Sequence, residues 1–268
     1  MRAMISGVVL AALLAGVVAA KGPPVRGSDV PPMPPTPAPP LDDKRIPIST
    51  LVREDLFAGF LDRDPVRMAR GKASIESLLV SRPDDKPGLL AWKGGIMLFD
   101  ASVAREQGKK GEYKKLYKQA IAILDEADRT QAKPGDGTRE AVEGASTLLF
   151  ADRLQPADRK AVWERSYANY QKVYAGQKAF ADKLPPHLRG ELMSGVTMTA
   201  QRTGRQVEAD AALEQMLVLV KGTPYEATAV AWKAADAKGR DTMMMSCKNC
   251  HDSARLAPVM ASQANKGA

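Results

Sequence analysis

The stretch Ala209-Asp-Ala-Ala-Leu-Glu-Gln-Met-Leu-Val-Leu-Val220 decides the fold. Its apolar members Ala209, Ala212, Leu213, Met216, Leu217 and Val220 fall at offsets of 0, 3, 4, 7, 8 and 11, which draws a single stripe along a helix of 3.6 residues per turn. The same period recurs in Trp163, Tyr167, Tyr170 and Tyr174, in Leu116, Ala120, Ile123, Leu124 and Ala127, and in Met68, Ile75, Leu78 and Leu79. Each stripe predicts a core-facing surface. The Trp and Tyr ladder is read as packing rather than as an electron-hopping path, because aromatics at helical spacing are ordinary core. Beyond Ile48 no run alternates with the period of two that a strand needs, so the chain is expected to be all-α.

Proline clusters stand between the stripes at Arg82-Pro83-Asp84-Asp85, Lys133-Pro134-Gly135-Asp136-Gly137, Leu184-Pro185-Pro186 and Gly222-Thr223-Pro224. Proline removes an amide and clashes with the preceding turn, so each cluster ends one helix and starts another. The intervals from Pro83 to Pro134, Pro185 and Pro224 are 51, 51 and 39 residues. Each holds two helices and a turn; inner turns fall near Gly108-Lys109-Lys110-Gly111 and Gln155-Pro156, and a further one near Asp64-Pro65 ahead of Pro83. A series of helical hairpins follows.

Ala120, Leu124, Ala127 and Pro134 carry the small, large, small and proline order that closes a tetratricopeptide repeat, with the proline two positions late. Ala212, Met216, Leu219 and Pro224, and Gly71, Ile75, Leu78 and Pro83, keep the spacing with leucine at the third place. Trp92, Gly95, Ile96 and Phe99 stand where the first helix of that repeat has Trp, Leu, Gly and Tyr. Residues 50 to 225 thus resemble the tetratricopeptide family, at periods longer than its usual length of about 34 residues. The resemblance implies hairpins stacked as an α-solenoid, with one continuous core and a concave face open to a protein ligand. An irregular helical bundle is the alternative architecture.

Outside this body lie two other segments. Arg2 is the only charge in residues 1–20, and Ile5 to Val18 form an apolar run ending in Val18-Ala19-Ala20, which reads as a secretory signal peptide (1–20). The run is short of the roughly 20 residues that a spanning helix needs, so no membrane span is expected after cleavage, and the destination is periplasmic or otherwise exported. Nine of the chain's 19 prolines lie between Pro23 and Pro40, marking residues 21–48 as a disordered Pro-rich linker. The helical body is then 49–225 and a C-terminal segment 226–268.

The chain's two cysteines and one of its two histidines fall together in Cys247-Lys248-Asn249-Cys250-His251, the C-x-x-C-H pattern of c-type haem attachment. Thiols three positions apart share one side of a helical turn, where each can add to a porphyrin vinyl group, and the adjacent imidazole is directed at the iron. Cys247 and Cys250 are therefore expected to hold one haem c as thioethers, with His251 as an axial iron ligand. A zinc site would need His187 or a carboxylate as its fourth ligand; a dithiol redox motif or a 247–250 disulfide would leave His251 unexplained.

Cys-Lys-Asn-Cys-His-Asp252-Ser253-Ala254-Arg255 at the end of a helical chain resembles the C-terminal attachment helix of cytochrome c′ over about twenty residues. The resemblance implies a terminal haem-attachment helix. For the sixth iron position the sequence offers Met260, nine residues after His251, His187 at a helix start, or an open site. Met243, Met244 and Met245 are expected to pack on the porphyrin edge, and Lys238, Arg240, Lys248 and Arg255 to form a basic rim that steers an acidic redox partner. A net charge of +8 carries no nucleic-acid motif with it. The reading is an exported monohaem cytochrome for electron transfer, with the repeats as docking scaffold. An interaction scaffold with a structural or sensory haem is the alternative, and a haem peroxidase stands behind both.

Overall fold

The structure is a computed structural model that describes residues 40–61, 63–131, 137–223, 225–243 and 245. The expected signal peptide, residues 21–39 of the linker, Met244, Lys248, Arg255, and the haem residues Cys247, Cys250, His251 and Met260 lie outside them. All regular structure among the described residues is helical, as the periodicity requires. Eight helices form four hairpins: α1 (Ile48–Leu61) with α2 (Pro65–Ser81), α3 (Lys86–Glu106) with α4 (Lys110–Thr130), α5 (Thr138–Ala151) with α6 (Pro156–Gln177), and α7 (Pro186–Arg202) with α8 (Gln206–Leu219). Two shorter helices follow, α9 (Tyr225–Ala234) and α10 (Ala237–Thr242).

Local chemistry sets the turns. Asp64 caps α2, its carboxylate accepting from the Val66 and Arg67 amides at 3.0 Å, with Pro65 as first helical residue. The α3–α4 and α7–α8 turns repeat one device. Gly108 (φ 75°) and Gly204 (φ 77°) take the left-handed conformation, and the amide after each reaches back five residues, Lys109 to Ala104 O at 2.9 Å and Arg205 to Ala200 O at 2.8 Å. The turn at Gly204 has no proline beside it.

Consecutive hairpins meet through their first helices and also through α2 on α3 and α6 on α7, the last being the main contact between the third and fourth hairpins. α1 packs on α3, α3 on α5 and α5 on α7, so the odd helices form an inner layer and the even ones an outer layer. Outer α4 buries only one stripe, Tyr113, Ala120, Leu124 and Ala127, and α8 buries Ala209, Ala212, Leu213 and Met216. The inner helices are covered on nearly every side: every described side of α7 from Leu192 to Ala200 is buried, and α1 is buried from Glu54 to Phe60. An apolar pocket of about 30 Å³ between Phe57, Trp92, Val142 and Leu149 is the volume of about one water.

The core departs from expectation in three respects. It forms two clusters, one built from α1 to α5 and the start of α6, the other from Tyr170, α7, α8 and α9, with Leu148 and Phe150 of α5 on opposite clusters. The buried line of α6 is Val162, Ser166, Asn169 and Tyr170, so Trp163, Tyr167 and Tyr174 flank it half-exposed; hydroxyl and indole groups turn their rings toward polar partners, Trp163 to Asp152 at 3.1 Å and Tyr174 to Gln215 at 2.6 Å. The body also extends past both expected boundaries. Leu41 and Ile46 pack on the first cluster while the buried Arg82 guanidinium donates to Ile46 O at 2.8 Å and to Asp43 O, and α9 and Met245 belong to the second cluster.

The tightest approach between layers is at Gly195 of α7, where a Cβ would lie 1.9 Å from Tyr170 Cε1. Overpacking of this kind costs about 1–3 kcal/mol, against about 1 kcal/mol that alanine gains over glycine in a helix. A planar ring pressed on a backbone cannot yield by a small rotation. Gly195→Ala is therefore expected to lower stability by about 2 kcal/mol in urea titration; an unchanged or raised midpoint would show that α6 and α7 are not packed this closely.

Candidate functional site

The segment that leads to the Cys-x-x-Cys-His motif is fastened to α7. Helix α9 buries Tyr225, Ala229 and Trp232, at offsets of 0, 4 and 7, against the second cluster. Asp236 then caps α10, its carboxylate accepting from the Gly239 amide at 2.7 Å. Arg202, at the end of α7 with a side chain 3% exposed, donates to Arg240 O at 3.2 Å and Asp241 O at 2.8 Å, and pairs with Asp152 at 3.1 Å and Asp241 at 3.2 Å. Met245, 1% exposed, donates its amide to the Met198 sulfur at 3.3 Å. Hydrogen bonds to a charged donor are the stronger kind, so Arg202 holds the segment by backbone as well as by charge.

Three hairpin turns gather at this same edge. Arg105 donates to Arg153 O at 2.9 Å and Arg153 pairs with Glu106 at 2.7 Å, joining the α3–α4 and α5–α6 turns. Arg202 joins the latter to the α7–α8 turn and to the last turn of α10. The Tyr113 hydroxyl donates to Asp158 at 2.5 Å and accepts from the Gln155 amide at 3.1 Å, tying the first turn of α4 to that of α6. Burial, with Asp158 beside it, pushes the Tyr113 phenol well above its ordinary range.

Several residues singled out from the sequence have other occupations here. Met245, expected at the porphyrin edge, is buried in the second cluster beside Met198, and Met243 is half-buried against the same cluster. Arg240 was expected on a basic rim, yet its guanidinium caps the carbonyls of Trp232 and Ala235, both at 3.0 Å, and faces Asp210 at 3.5 Å. Lys238 is exposed. Arg202, which sequence reading passed over, shows no motif; its role appears only when α7 meets α10.

His187 sits in the first turn of α7, with Nδ1 3.3 Å from the Tyr225 hydroxyl, which itself donates to Glu191 at 2.8 Å. Eleven residues separate it from Met198, about 16 Å along the helix axis. Burial is the first cause holding its imidazole below the ordinary value of 6.5; Glu191 opposes it, Arg53 adds to it and Glu54 opposes it. Such a histidine takes up its proton more readily in the unfolded chain, so stability falls as pH drops through the window below 6.5 and rises with pH across it. His187→Gln is expected to flatten the rise in urea midpoint between about pH 5 and about pH 7; an equally steep rise in the variant would place its source elsewhere.

Among the described residues no three His, Cys, Asp or Glu side chains are grouped to hold a metal ion, and no helix is long and apolar enough to cross a membrane. No family model, curated protein or solved structure matches the chain.

Proposed function

We propose that this chain is an exported electron carrier with one covalently attached haem c. The observation that carries the reading is Cys247-Lys-Asn-Cys-His251, which uses both cysteines of the chain and places an imidazole directly after the second. The donor set fits the group: two thiols for thioether bonds and one nitrogen ligand for iron, with no other cysteine to compete in a disulfide. Cys247 and Cys250 would hold the porphyrin and His251 would ligate the iron. Bound in this way, haem iron supplies one-electron chemistry.

The helical body's part is to position that motif. Cys247 lies two positions after Met245, with only Ser246 between them, and two steps of extended backbone cover at most about 7 Å. The attachment motif is thus tethered closely to the α7 end that Arg202 and Met198 secure. His187, bonded to Tyr225 at the other end of α7, is the less suited of the two named sixth ligands, which favours Met260 or an open position. The test is production alongside haem-maturation machinery, a denaturing gel stained for haem peroxidase activity, and a reduced-minus-oxidised spectrum. A stained band and a sharp reduced α-band are expected; a colourless band from soluble, folded protein would sink the proposal.

The hairpin stacking supports a second reading, a repeat scaffold that binds a protein and carries a structural or sensory haem. The two readings part on the reduction rate with small-molecule donors: an electron carrier exchanges fast and reversibly, and a structural haem does not.

A further inference from the structure

The first three turns of α4 present Lys110, Lys114, Lys115 and Lys118 to solvent, all exposed, within an arc of less than half the helix circumference. Some lysines elsewhere on the body have partners, as in Lys72 with Asp100, Lys86 with Glu126, Lys93 with Glu76 and Lys233 with Glu214, and among the described residues other exposed ones such as Lys172 and Lys221 do not, but those are not gathered on one face of one helix. Among the described residues these four have no ion pair; the neighbouring Lys109 reaches Glu112 only at 3.5 Å. Lys110, Lys114 and Lys118 follow one another at intervals of four, where like charges repel, and Lys110 opens the helix, where the dipole disfavours a cation. The sequence therefore maintains a charge cluster that local stability would remove.

The face lies where a carrier could use it. Lys110 directly follows the α3–α4 turn, on the edge where Tyr113, Arg153 and Arg202 link the turns to the segment leading to Cys247. Its chemistry selects the occupant. Lysine heads are strongly hydrated point charges, suited to contacts that form fast and release, whereas arginine would suit a dry, permanent interface. A membrane-surface helix needs apolar side chains beside its cations, but the apolar stripe of α4, Tyr113, Ala120, Leu124 and Ala127, is buried in the core.

We propose that Lys110, Lys114, Lys115 and Lys118 form the docking face for a partner protein bearing clustered Asp and Glu side chains. The partner's role as electron donor or acceptor rests on the haem reading above; the docking itself does not. The experiment measures binding of fluorescein-labelled poly-L-glutamate to the full exported chain by anisotropy, at low and raised ionic strength. Replacing the four lysines by glutamine is expected to weaken binding by about tenfold or more and to flatten its salt dependence. Replacing Lys172 near the end of α6, Lys178 and Lys183 just after it, and Lys221 after α8, all exposed and equal in charge, is expected to change it by less than about twofold. The four-lysine variant should melt at or above the wild-type temperature, which separates lost docking from lost fold. Cys247→Ala/Cys250→Ala protein should bind as wild type, so failure of the haem reading leaves the docking result intact. Equal loss in the two lysine variants, or no binding at all, overturns the proposal. Phosphatidylglycerol vesicles bound in preference to poly-glutamate through the same four lysines overturn it in favour of a membrane surface.

Discussion

Glu143→Ala is expected to cost the fold about 3–5 kcal/mol, because it strips the shared carboxylate from two guanidinium groups set between helices. Glu143 is fully buried; Arg139 of α5 reaches it at 2.8 Å and Arg165 of α6 at 2.7 Å. The same two arginines bind Asp128 of α4, Arg165 also binds Asp125, and Arg139 binds Glu140 at 2.9 Å and Gln131. One polar network thus clips the second hairpin to the third. Burial is the first influence on the Glu143 carboxyl and raises its value, with the Arg165 hydrogen bond pulling the other way. Removing the carboxylate leaves Arg139, 5% exposed, with less compensation than its burial demands. By contrast an exposed pair such as Lys86 with Glu126 is worth about 0–1 kcal/mol. The measurement is urea unfolding followed by far-UV circular dichroism, with Glu143→Gln as companion. The glutamine keeps shape and an acceptor, so it should lose less than the alanine; a loss under about 1 kcal/mol for the alanine would mean that the network is not closed in solution.

That network also marks the limit of what the sequence discloses. The stripes of α2, α4 and α8 were legible because each of these outer helices buries one face, and the period of its apolar residues reports that face directly. Helix starts were legible at Pro65, Pro156 and Pro186, each within the first turn of its helix. On α5 the same logic misleads. Arg139, Glu143, Ser146 and Thr147 look like a solvated side, yet all are buried, since their partners come from α4, from α6 or from carbonyls one turn back. A single-helix period cannot show a charge neutralised by another hairpin.

The α6 ladder is core-facing only in part: Tyr170 is buried, and Trp163 and Tyr174 pack half-exposed against the clusters. Trp163, Tyr167 and Tyr174 have the spacing of a core line, but each carries a donor that must reach a polar group, and Ser166 and Asn169 take the buried positions between them. Inner helices α1 and α7 are covered nearly all round, so their amphipathic signal is weak and nothing in their composition distinguishes inner from outer layer. The candidate site divides the same way. Its motif is a local pattern of five residues, whereas the anchorage of the segment before it through Arg202, Met198 and Asp152 joins parts of the chain about 40 to 90 residues apart and has no local pattern.

Cys247→Ala/Cys250→Ala is expected to abolish covalently retained haem entirely while leaving the helical body folded. Among the described residues both clusters close between Leu41 and Met245, ahead of the motif. Arg202 and Asp236 secure the approach to it through carbonyl, carboxylate and amide groups of the described residues. The double variant should therefore show the wild-type far-UV spectrum and a melting temperature lower by no more than about 4 °C, which is the shift that roughly 1–2 kcal/mol produces in a body of this size. On a denaturing gel the wild type should stain for haem and the variant should not. Each single variant should retain haem more weakly, through one thioether, because either thiol can bond without the other. Loss of fold together with loss of haem would make the group part of the core, and the helical body would then be a haem-dependent domain rather than a scaffold that carries one. Persistent staining in the double variant would remove Cys247 and Cys250 from the proposal, and with them the reading of His251 as iron ligand.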